Sequence, residues 1–383
     1  MTNRLILALL TGICGLAACG DDAADRTREQ AEQTRAVMRE IFQGLQVALP
    51  ASGDPQNFAS ADNRLEVNAA LERLASNAAR LEKHTAQRDQ QMHYLARSVA
   101  GDAREVQRAY EQGRSQRAAF LLRQITENCV VCHTRLPSLR DSPIAQGFLE
   151  EGVLEELPLE PRATLQIATR RFDEALQTLE TLLLSPSEHA AVLLGPLTDY
   201  LVVSIRVKED FDRPVPVLKQ FAQRPDLWAR LRMDVEGWIN ELPKLRRRAA
   251  GKSDLATARA LLDEGKQRVE FPEDRTALAH FVVASSVLQR YIDAHPDPNP
   301  ELGEAFYMLG VVEARIGRNY WVTPSPFLLE QAIRLAPGAD FADDAYALLE
   351  RETFGAYEGS DWEDLPPEDA QRLEELRRLV GQG

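Results

Sequence analysis

Cysteine is scarce in this sequence. Four occur in 383 residues, and two of those fall within the first twenty. No second Cys or His pair stands at ligand spacing elsewhere, which argues against a four-ligand zinc site. Positive charge is also in deficit. A formal net charge of −14 argues against non-specific nucleic-acid binding, which needs basic patches. The apolar start, from Leu5 to Leu10 and a little beyond, falls short of what a stable membrane span needs. The sequence carries no catalytic triad or paired-carboxylate signal, and Asp263-Glu264-Gly265-Lys266 lacks the glycine spacing of a phosphate loop. The chain is therefore expected to be an electron carrier or binding protein rather than an enzyme. Strand signal is weak, and the fold class expected is all-α.

The first twenty residues are of a different material. MTNRLILALLTGICGLAACG has a short basic start at Arg4, then an apolar run, as a secretory signal does. Leu16-Ala17-Ala18-Cys19 resembles the lipobox of bacterial lipoproteins. The resemblance implies cleavage after residue 18, acylation of Cys19 and a membrane anchor, with residues 19–24 as a linker. Gly20 follows the cysteine and Asp21 comes one later, whereas the inner-membrane retention pattern of that family places Asp directly after it. The expected location is the periplasmic side of the outer membrane of a Gram-negative bacterium.

Cys14 lies in the signal and Cys19 takes lipid, so Cys129 and Cys132 alone remain in the mature folded part. They sit in T-E-N-C-V-V-C-H-T-R-L-P, next to His133. Three chemistries use such a stretch: a metal site, a redox disulfide and covalent haem. A thioredoxin-like pair would follow a strand, and the residues ahead, RSQRAAFLLRQITEN, are helical in pattern. Haem fits best. C-x-x-C-H sets two thiols one helical turn apart for addition to the vinyl groups, with the histidine beside them for the iron. Export supplies the compartment in which this attachment takes place. One covalent haem c is expected.

Residues 25–145 read as four helices. The first, roughly 25–49, carries Val37, Met38, Ile41, Phe42, Leu45 and Leu49. Asp62 is the expected cap of the second, whose stripe is Leu65, Leu71, Leu74, Ala78 and Leu81. The third, roughly 88–112, shows Met92, Leu95, Val99, Ala103, Val106 and Tyr110 and breaks at Gly113. The fourth, roughly 115–134, holds Phe120, Leu121, Leu122 and Ile125 ahead of the cysteines and stops at Pro137. Steps of three and four give a bundle seam. His84 and His93 sit among polar residues and read as surface histidines.

A four-helix bundle with C-x-x-C-H on its last helix resembles the class II c-type cytochromes, the cytochrome c-prime group. The resemblance covers about 110 residues, under a third of the chain. It implies His133 as proximal iron ligand and Met38, on the first helix, as distal ligand. It further implies Arg35 as a partner for a haem propionate. The chain departs from the group just after the motif: Thr134, Arg135, Leu136 and Pro137 stand where an aromatic and then an arginine are usual.

Residues 146–383 are helical stretches punctuated by proline. ATRRFDEALQTLETLLLSP, with Ala168, Phe172, Ala175, Leu176 and Pro186, resembles the turn and second helix of a tetratricopeptide repeat. ELGEAFYMLGVVEARIGRN with FLLEQAIRLAP resembles a whole unit, apart from the insert YWVTPSP, and LAHFVVASSVLQRYIDAHP another second helix. Such pairs bury their apolar faces against neighbours and build a solenoid. The run from Lys244 to Arg248 reads as a solvated helix end, and the tail as a loop and a capping helix. The function expected is electron transfer through the haem, with the repeats docking a redox partner protein. The alternatives are a scaffold with structural haem and a haem gas-binding or sensor module.

Overall fold

The computed structural model describes residues 18–52, 58–86, 90–134, 154–155, 157–271, 274–317, 324–355 and 365–381. Among them are fifteen α-helices and no strand, so the chain is all-α. By internal contact it divides into two compact units, residues 1–115 and 116–383. The boundary falls after the first residue of the helix that carries Cys129, so nearly all of that helix groups with the second unit rather than with the three helices before it.

The first unit is built on α1 (Ala18–Ser52), α2 (Arg64–Thr85) and α3 (Gln90–Glu111). The signal stretch lies outside the described residues up to 17, and the backbone expected as a linker, 19–24, is already helical in α1. Val37, Ile41, Phe42, Leu45, Ala48 and Leu49 bury one face of α1, which packs on α2. The approach is close: a Cβ on Gly44 would lie 2.8 Å from the Ala70 carbonyl oxygen. Leu45, Leu71 and Leu74 are fully buried there, each contributing about 1.5–3 kcal/mol. Tyr110 at the end of α3 donates its hydroxyl to the Phe58 carbonyl oxygen at 2.8 Å, its ring edge-on to Phe58 at 4.8 Å.

Several expectations change. Asp62 is not the cap of α2: the residue before the helix is Asn63, no side chain closes the turn, and Ser60 Oγ accepts from the Asn63 N–H at 3.4 Å. Leu65 is 84% exposed, since the buried face of α2 begins only at Val67. Met38, Met92 and Val99 are half-buried. His84 and His93 are half-buried as well, and tie helices together: His84 Nε2 lies 2.8 Å from Thr34 Oγ1, and His93 Nδ1 lies 3.1 Å from the Glu82 carbonyl oxygen.

In the second unit α4 (Ser115–His133) comes first. α5 (Leu159–Ala168) and α6 (Phe172–Leu184) form an adjacent pair. α7 (Leu194–Leu201) runs on into a π turn, Val202–Val207. This apolar stretch, Ala190–Val207, is long enough to cross a membrane, but it is mostly buried within the protein, as a core helix is. α8 (Pro214–Phe221) and α9 (Ala229–Ala249) follow. The basic run at the end of α9 is a solvated face, with Lys244 beside Glu241, Arg246 beside Asp212 and Arg248 beside Glu264, while Leu245 turns inward.

α10 (Leu255–Arg268), α11 (Leu278–Ala294), α12 (Pro300–Ile316), α13 (Ser325–Leu335), α14 (Ala342–Gly355) and α15 (Pro367–Val380) each pack on the next in order. Small residues set the spacing. A Cβ on Gly310 would sit 2.9 Å from Leu329, so α12 and α13 meet at the Leu309-Gly310 step. Leu373 and Leu376 of α15 close onto Leu329, Ile333, Ala345 and Leu349.

Candidate functional site

The buried face of α4 runs through Ala118, Leu122 and Ile125, in steps of four and three. The same stepping continues to Cys129 and then to Cys132 and His133. The motif is therefore the polar end of a core stripe. Phe120 falls off that stripe and is 47% exposed. Both cysteines are half-buried thiols, not joined in a disulfide. Cys129 Sγ donates weakly to the Ile125 carbonyl oxygen at 3.7 Å. Thr134 closes the helix: its N–H and its hydroxyl both reach the Val130 carbonyl oxygen, at 3.0 and 2.7 Å. Pro137, the expected stop, lies outside the described residues.

His133 Nδ1 is buried and has no hydrogen-bond partner. Burial first, and the Arg170 charge second, push its pKa down to about 3. The ring is thus a neutral imidazole at physiological pH, the form that binds a metal. A buried polar nitrogen without a partner is costly in a finished interior. These residues fit a covalently attached haem: two thiols one turn apart, and an uncharged imidazole beside them. They do not fit a metal-ion cage. Among the described residues no three His, Cys, Asp or Glu side chains gather as ligands.

Arg170, which the sequence did not single out, belongs to this site. It stands in the turn between α5 and α6. Burial lowers its pKa, and the nearby Cys132 thiol acts to raise it. The turn is a Schellman closure: Arg171 N–H donates to the Gln166 carbonyl at 2.8 Å and Arg170 N–H to the Ile167 carbonyl at 2.9 Å. This closure puts Arg170 at φ 61°, in the left-handed region. A residue with a Cβ pays roughly 1–2 kcal/mol there, and glycine is the default.

The other expected residues lie on α1. Arg35 and Met38 are both half-buried in the first unit. Cys19 is the second residue of α1, its side chain outside the described set.

A second polar cluster lies inside the second unit. Arg206, in the π turn, pairs with Glu313 of α12 at 3.0 Å, the two side chains 3% and 6% exposed. Arg206 Nε also donates to Ser285 Oγ at 2.9 Å, and Ser285 in turn to the Val282 carbonyl at 2.7 Å. Its signal in the sequence is charge set inside two apolar runs: Arg206 in VVSIRV, and Glu313 with Arg315 in GVVEARI. Comparison of the chain with family models, curated proteins and solved structures returns no match.

Proposed function

We propose that the protein is a c-type cytochrome that transfers electrons, held to the periplasmic face of a membrane by lipid on Cys19. The observation that carries this reading is the end of α4. Cys129 and Cys132 lie one turn apart on a core stripe, beside the neutral imidazole of half-buried His133, whose Nδ1 is buried without a hydrogen-bond partner. In this reading Cys129 and Cys132 tether one haem c as thioethers, His133 is the proximal iron ligand and Met38 the distal one. When bound, the haem supplies one-electron chemistry between ferrous and ferric iron, at a potential that a methionine ligand raises.

The chain's own part is to hold and shield. Burial keeps the His133 ring uncharged, so no proton competes for its ligand nitrogen. Leu122 and Ile125 on the stripe, and Val130 off it, are buried and keep water from the same helix. The helices from α5 onward form the docking region for a redox partner. The support for a tetratricopeptide-like solenoid there is that successive helices from α10 to α15 each pack on the next, with glycine at the tight α12–α13 contact.

The test is the optical and EPR spectrum of protein matured in a host that attaches haem. The expected result is a low-spin, six-coordinate iron that binds carbon monoxide poorly, turned high-spin and carbon monoxide-binding by Met38→Ala. A wild-type protein that is already high-spin and takes carbon monoxide readily would favour gas binding instead.

A further inference from the structure

α1 begins well before its packing does. It is helical from Ala18, yet its first buried side chain among the described residues is Val37. α2 runs antiparallel to it. Arg73 meets Gln43 at 3.1 Å and Glu40 at 4.0 Å, while His84 Nε2 lies 2.8 Å from Thr34 Oγ1 and 3.1 Å from the Gln30 carbonyl oxygen. α2 ends one residue after His84, at Thr85. α3 starts at Gln90 near the same level, with His93 beside the Glu82 carbonyl oxygen. α1 therefore continues past the ends of both neighbours. Cys19 to Glu29 are eleven residues, and at 1.5 Å per residue they carry the helix about 16 Å further.

The letters of this stretch suit a free-standing helix. Gly20 to Glu29, GDDAADRTRE, holds one glycine and no serine or proline, whereas a flexible linker is rich in Gly and Ser. Ala23 and Ala24 are the strongest helix formers. Asp21 and Asp22 stand near the helix start, where its dipole favours acids. Asp22 and Arg26 are four apart and Asp25 and Arg28 three apart, acid before base in each. The stretch contains no large apolar residue, so it has no face with which to lie in a bilayer. Its four acids outnumber its two arginines, which disfavours lying on an anionic lipid surface as well.

Resting on the reading of Cys19 as the lipid anchor, we propose that residues 19–29 are a rigid helical stalk that holds the first unit off a phospholipid surface. A flexible coil of eleven residues spans about 18 Å root-mean-square, close to the length of the helix. The two differ in what they forbid. A coil folds back and lets the His84 end of the unit touch the lipid. A helix continuous with α1 keeps that end a fixed distance from the anchor, and the unit pivots at Cys19 as one piece with its stalk.

The test uses the full chain, with nitroxides coupled to azide-bearing residues so that the native cysteines take none. The mass of the amino-terminal peptide is measured first. An unacylated Cys19 would sink the anchor reading, while the distance below still decides whether the stalk is helical. Labels replacing Ala24 and Ser76 are expected to give one narrow dipolar distance distribution near about 25 Å, since Ala24 lies some sixteen residues of helix from the level of Glu40. Asp25→Gly/Arg26→Gly/Thr27→Gly should broaden it about twofold and leave the melting temperature of the chain unchanged. A wild-type distribution as broad as that of the glycine variant overturns the proposal. With the acylated chain on vesicles of phosphatidylethanolamine and phosphatidylglycerol, a label replacing Lys83 should collide with a water-soluble relaxant and not with oxygen dissolved in the lipid. The glycine variant should gain lipid contact several-fold. A wild-type Lys83 label that already meets the lipid overturns the proposal as well.

Discussion

Two of the places where the second unit buries polar groups are treated differently. Around Arg206 every principal charge has its answer: Glu313 at 3.0 Å, Ser285 at 2.9 Å, and Ser285 itself bonded onward to backbone. At the end of α4, a buried nitrogen of His133 has none, and the Arg170 charge acts on the ring together with burial. A closed network of this kind is what a fold needs to hold helices in register. An open one costs stability and calls for a particular explanation. The difference is what singles out the end of α4 as the candidate site.

The comparison can be broken by mutation. Glu313→Ala should leave the Arg206 charge buried and unpaired, at a cost of about 3–5 kcal/mol. Equilibrium denaturation would show it, and the haem spectrum should not move. Ser285→Ala removes one acceptor from the same guanidinium and should cost less, about 1–3 kcal/mol. If either variant altered the haem spectrum as strongly as it altered stability, the two clusters would not be separate.

The smallest effect sharpens the same point through pH. His280 is 1% exposed, its ring nitrogens without hydrogen bonds, with Glu264 at 3.9 Å and Glu241 at 4.0 Å. Burial first, then Arg268, pushes its pKa down to about 4 from 6.5. The unfolded chain therefore takes up this proton before the folded one does. Stability falls as pH drops from about 6.5 toward 4. His280→Leu should flatten that part of the decline in a melting series, and an unchanged slope would mean that the ring is hydrated in solution.

Much of this was legible in the sequence, for identifiable reasons. Helical periodicity in apolar residues is local, so α1 to α4 and the chain beyond read as helices. The spacing of Cys129, Cys132 and His133 is local too. What depends on neighbours was less visible. Leu65 has the right period but lies a turn before the packed part of α2, and Phe120 is apolar yet points off the stripe. Asp62 is a capping residue by type, but the helix begins one residue too late for it. Arg170 could not be found, because a left-handed backbone and a distant helix end leave no mark on the letters Arg170-Arg171. The Arg206–Glu313 pair did leave one, charge within two apolar runs, although the runs alone do not say which charge answers which.

The account turns on whether α4 carries a covalent haem. The direct measurement is the mass of the mature protein, and of its proteolytic peptide spanning Cys129 to His133, under denaturing conditions. The expected result is one haem per chain, retained after acidic extraction and located on that peptide through both sulfurs. A peptide of unmodified mass, with two titratable thiols, would contradict it.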